Sequence, residues 1–136
     1  MGAWGDGPFD NDSALDWCGT LQDADRADRV KLVRSALATV ADSTGYLDFD
    51  EAAEGVAAAA IVASLVPGGS PVNPADAPAF LAERGAMDLA DDLPSLAVAA
   101  LARVVGEDSE WRELWSQSGA TDFPKLQRLR AVLAGS

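Results

Sequence analysis

The sequence contains no histidine and a single cysteine, Cys18. The first absence removes the side chain used most often as a general base near neutral pH. The second rules out an intrachain disulfide and suits a reducing compartment. Positive charge is also scarce. Ten Lys and Arg stand against 22 Asp and Glu, for a formal net charge of -12, and Lys31 and Lys125 are the only lysines. So acidic a chain opposes binding to nucleic-acid phosphates and to anionic lipid. It permits a basic protein partner or cations, and acidity also favours solubility. Val, Ile and Thr never alternate with polar residues over a useful length, so no strand is predicted. The apolar run Ala52–Val66 is shorter than the roughly 20 residues that span a bilayer, and Glu54 interrupts its start. The N-terminus has no basic segment followed by an apolar one, and Asp6 stands where a myristoylation motif has Ser or Thr. The Gly-x-Ser-x-Gly elbow, the P-loop and the dinucleotide fingerprint are all missing. The expectation is a soluble cytoplasmic protein with no cofactor and with neither nucleic acid nor membrane as partner.

What remains is rich in helix signals. A length of 136 residues with 49% apolar content suits one all-α domain over residues 1–136. Its organising stretch is Tyr46–Val66. Asp48 and Glu51 open it in near capping-box spacing, and Pro67-Gly68-Gly69 closes it. From Ala52 on it has almost no polar face, which marks a buried helix. Its alanines let neighbours approach closely. Five or six helices are therefore expected in a compact bundle around this alanine-rich rod.

The other helices follow from caps and spacing. The first starts near Asp10–Asp12 and turns Ala14, Trp17, Cys18 and Leu21 inward, with Asp12 and Asp16 on the wet side. Cys18 reads as a small core residue. The second runs from about Asp25 to Ala41 on Val30, Val33, Leu37 and Val40, with Asp25 and Arg29 as an i,i+4 pair on a solvated face. Leu32 falls off that stripe and points to a second contact. Pro67–Ala77 is a loop. A short helix is expected near Pro78–Arg84, another from Leu93 to Val105 capped by Asp92, and one over Glu110–Ser118 capped by Ser109. The last, with Phe123, Leu126, Leu129 and Leu133 inward, carries Pro124 in its first turn. Trp4 and Trp17 near one end and Trp111 and Trp115 near the other are expected to meet over the rod.

The residues Met1-Gly2-Ala3-Trp4-Gly5, Gly7, Phe9-Asp10-Asn11-Asp12, Ala14 and Asp16-Trp17 resemble the N-terminal signature of a bacterial family, domain of unknown function 4259. Tyr46-Leu47, Glu51-Ala52 and Ser109–Trp115 are similar to later parts of it. The resemblance implies a small bacterial domain and supplies no catalytic residues.

Two acidic clusters are the chemistry-bearing candidates. Asp10, Asn11, Asp12 and Asp16 fail the EF-hand pattern, because Ala14 takes the third oxygen position. Glu51-x-x-Glu54 and Glu110-x-x-Glu113 are spaced like the metal-binding glutamates of helical bundles, without the histidines of di-iron sites. The expected role is a non-catalytic protein-binding or regulatory module, of inhibitor or immunity type, facing a basic partner. Its binding residues are Trp4, Asp10, Asn11, Asp12, Asp16 and Trp17, although this signature is read as structural first. No metal is expected. The alternative is a Mg²⁺-dependent hydrolase using Glu51, Glu54, Glu110 and Glu113. The alternatives differ in whether those glutamates converge.

Overall fold

Residues 49–65 are nearly all small or aliphatic, and the computed structural model makes them helix α3 (Phe49–Leu65) at the centre of the bundle. The structure describes residues 12–65, 92–117 and 124–134. Around α3 stand α1 (Asp12–Asp23), α2 (Arg26–Ala41), α4 (Leu93–Val104), α5 (Glu110–Gln117) and α6 (Pro124–Ala134). The all-α expectation holds: the described residues form six helices and no strand. The helix expected near Pro78–Arg84 and the loop Pro67–Ala77 lie outside the described residues.

The composition of α3 determines how it packs. Ala52, Ala53 and Val56 through Ala63 are all buried, because α2 and α4 make the largest contacts with it while α1, α5 and α6 also pack on it. Alanine permits this crowding, since it presents little bulk to any neighbour. Gly55 goes further. A Cβ there would stand 2.6 Å from Val40 Cγ2, so glycine sets how closely α2 approaches α3. Phe at Ala58 or Ala59, both fully buried, is expected to cost on the order of 1–3 kcal/mol through overpacking. Thermal melts check this, and unchanged melting in both variants would contradict a buried rod.

The cap expected at Ser109 forms, and Asp25 supplies another at the start of α2. Asp25 Oδ1 accepts from the Asp28 amide at 3.0 Å, and Ser109 Oγ accepts from the Arg112 amide at 3.3 Å. Pro124 occupies the first turn of α6. The inward faces also hold. Ala14, Trp17, Cys18 and Leu21 are buried on α1, and Leu126 and Leu133 on α6. Phe123 lies outside the described residues.

Two local readings need correction. Arg29 does not lie on a solvated face. It is buried, and its guanidinium donates to the carbonyls of Leu21 at 3.1 Å and Gln22 at 3.0 Å. The tight turn between α1 and α2 brings Arg29 over the end of α1, where helix carbonyls lack intrahelical partners. Asp92 occupies the N-cap position of α4 but makes no side-chain capping bond. Its carboxylate takes both nitrogens of the Arg34 fork, at 2.8 and 3.1 Å. A bidentate charged pair outcompetes a neutral amide, and Pro94 has already removed one amide from that turn.

A junction of two loops holds the start of α3 against the start of α5. The Leu47 amide donates to Asp108 O at 2.7 Å, and the Glu110 amide to Leu47 O at 2.9 Å. This is the isolated bridge Leu47–Ser109. Asp108 adopts φ 58°, a left-handed conformation that Asp tolerates better than most residues. Arg103 fastens the junction by donating to the carbonyls of Ser43, Gly45, Glu107 and Asp108.

Candidate functional site

Three helices leave a cleft beside the first turns of α3. From α2 come Leu32, Ser35, Ala36 and Thr39, spaced so that they share one face. From α1 comes Trp17, and from α3 come Glu51 and Glu54, one turn apart. Leu32, off the main stripe of α2, is partly buried against the core and also lines this cleft. Its volume is ≈260 Å³, somewhat below the roughly 300–1,000 Å³ of most small-molecule pockets. Trp17, Leu32 and Ala36 make one part of the lining apolar, and two hydroxyls and two carboxylates make the rest polar.

The carboxylates determine the character of the cleft. Glu54 is half-buried. Burial is the main cause that raises its pKa above the usual glutamate range, with the charges of Asp50 and Glu51 adding to it. Among the described residues neither Glu51 nor Glu54 has a hydrogen-bond or ion-pair partner, and no Lys or Arg lines the cleft. Asp50 is engaged elsewhere, accepting from Ser13 Oγ at 2.6 Å and so tying α1 to the start of α3.

Glu110 and Glu113 have different surroundings. Glu110 Oε1 accepts from the Phe49 amide at 2.7 Å, which satisfies a free donor at the positive end of α3. Glu113 accepts from the Tyr46 hydroxyl. That bond is the main cause pushing the Tyr46 phenol up to about 12. The cleft therefore takes in Glu51 and Glu54 and neither of the later pair. Among the described residues no three Asp, Glu or Cys side chains gather in a group that could hold a metal ion.

Of the N-terminal binding candidates, Trp17 is buried and lines the cleft, while Asp16 is exposed and does not. Trp4, Asp10 and Asn11 lie outside the described residues, as do the side chains of Asp12 and Trp115. Trp111 is buried on α5, so two of the four tryptophans are seen to reach the bundle interior. Burial pushes the Cys18 thiol up to about 12, so it stays protonated and unreactive at neutral pH. Sequence reasoning missed Ser35, Ala36 and Thr39. Their signal was the spacing from Leu32 on a face that the main stripe of α2 did not use.

No helix among the described residues is long and apolar enough to cross a membrane. No curated protein and no solved structure matches the chain. The family model described as "Domain of unknown function (DUF4259)" matches residues 2–127. With so much of its length matched, the chain belongs to this family of domains of unknown function.

Proposed function

We propose that the protein is a non-catalytic, cytoplasmic binding module that holds a basic protein partner, in the manner of an inhibitor or immunity protein. The observation that carries this reading is the cleft, where two carboxylates without a partner among the described residues stand beside a buried tryptophan. The net charge of -12 adds long-range attraction for a cationic partner. Calorimetric titration with a decapeptide of alternating arginine and glycine tests it, with a glutamate–glycine decapeptide as control. Saturable binding of the basic peptide alone, weakening as salt rises, is the expected result. Equal binding of both peptides, or none, would overturn the reading.

An unpartnered, half-buried carboxylate costs stability, as groups kept for binding often do. Because the folded-state pKa of Glu54 is raised, protonation favours the folded state. Its most favourable contribution is present below the unfolded pKa and is lost as pH rises through the folded one. Glu54→Gln is therefore expected to melt above the parent at pH 7, with the gap closing as the pH falls below the glutamate range. A variant that melts below the parent at pH 7 would contradict this.

A further inference from the structure

We propose that the cleft between α1, α2 and α3 is a subsite for a single Lys or Arg side chain of the partner. This rests on the reading of a basic partner and names where its anchor sits.

Size is the first argument. A volume of ≈260 Å³ suits one long side chain better than a folded element or a drug-sized molecule. The distribution of chemistry is the second. Trp17, Leu32 and Ala36 offer apolar surface to a methylene stem, and Glu51 and Glu54 offer two negative charges to its head. Lys and Arg are the side chains built in this way, with an apolar stem and a cationic end. Ser35 and Thr39 supply hydroxyl oxygens for the remaining N–H groups. Charge complementarity is the third. Among the described residues no cation of this chain already neutralises the two glutamates. By contrast, Arg34 pairs with Asp92, and Glu110 and Glu113 have partners of their own. The raised pKa of Glu54 fits a carboxylate that gains by receiving a cation.

The test is the same arginine–glycine decapeptide titrated against the parent, against Glu51→Gln/Glu54→Gln, and against Asp23→Asn/Glu107→Gln. The last variant removes the same charge from exposed positions outside the cleft. Far-UV dichroism confirms that each variant is folded. The cleft variant is expected to bind at least about tenfold more weakly, and the control within about twofold of the parent, as a localised charge pair requires. Equal weakening in both variants would overturn the subsite while leaving the basic-partner reading in place. No binding by the parent would overturn that reading and the subsite with it. Two further results would assign the cleft to another occupant and overturn the proposal. One is a dimer of the parent, seen by sedimentation, that dissociates in the cleft variant. The other is displacement of the peptide by Mg²⁺ at constant ionic strength.

Discussion

Replacing Trp111 with alanine is expected to lower the unfolding free energy by about 3–5 kcal/mol, the range for removing a large aromatic from a core. The side chain is 1% exposed and is the largest fully buried side chain described. It sits on α5, which packs on α3, and α5 has only eight residues. A helix so short has little stability of its own, so its docking depends on the aromatic anchor. Domains of this size are typically stable by about 5–15 kcal/mol, so the variant would lose about a fifth or more of the total. Leu114 on the same helix is only partly buried, and its truncation should cost clearly less. Urea unfolding followed by far-UV dichroism checks both. A loss under about 1 kcal/mol at Trp111 would mean that α5 is not anchored by it.

Arg103→Ala is expected to cost about 2–4 kcal/mol. Each hydrogen bond from a charged donor is worth roughly 1.5–3 kcal/mol, but solvent weakens those that are exposed. The guanidinium donates to Ser43 O at 3.3 Å, Gly45 O at 2.5 Å, Glu107 O at 2.8 Å and Asp108 O at 3.2 Å. These carbonyls belong to the loop before α3 and the loop before α5. The damage should therefore reach beyond the arginine itself. The Leu47 amide, bonded to Asp108 O, should exchange with deuterium faster. So should the Phe49 amide, which depends on Glu110 being held in place. Lysine at the same position keeps the charge and loses the planar fork, so it should recover only part of the stability. A variant within about 0.5 kcal/mol of the parent, the range of ordinary surface changes, would show that the junction holds without Arg103.

Features set by local spacing were legible in the sequence. The rod was one, because a run of alanine and aliphatic residues with no polar face can be placed only in an interior. The inward face of α1, the cap at Ser109 and the burial of Cys18 were others. Each depends on residues within one or two turns of chain. The roles of Arg29, Asp92, Arg103 and Glu110 were not legible, because their partners are decided by how helices meet. Asp25 and Arg29 have good i,i+4 spacing for a surface pair, yet the turn after α1 directs Arg29 onto the carbonyls of Leu21 and Gln22. Glu110 has the spacing of a metal ligand with Glu113, yet in the fold it caps the start of α3.

The candidate site was legible in pieces. Trp17 was singled out in one hypothesis, and Glu51 and Glu54 together in another. Leu32 was noticed only as an apolar residue off its stripe. The packing of α1, α2 and α3 brings all four to one cleft. Periodicity shows which residues of one helix share a face. It does not show which faces of three helices will leave a space between them.

The proposed anchoring of a basic partner in the cleft is tested most directly by intermolecular nuclear Overhauser effects. In the complex with the arginine–glycine decapeptide, arginine methylene protons are expected to show contacts with the Trp17 indole ring and with the Leu32 and Ala36 methyl groups. Contacts gathered instead at Leu15 and Tyr46, the exposed large apolar side chains among the described residues, would contradict the account.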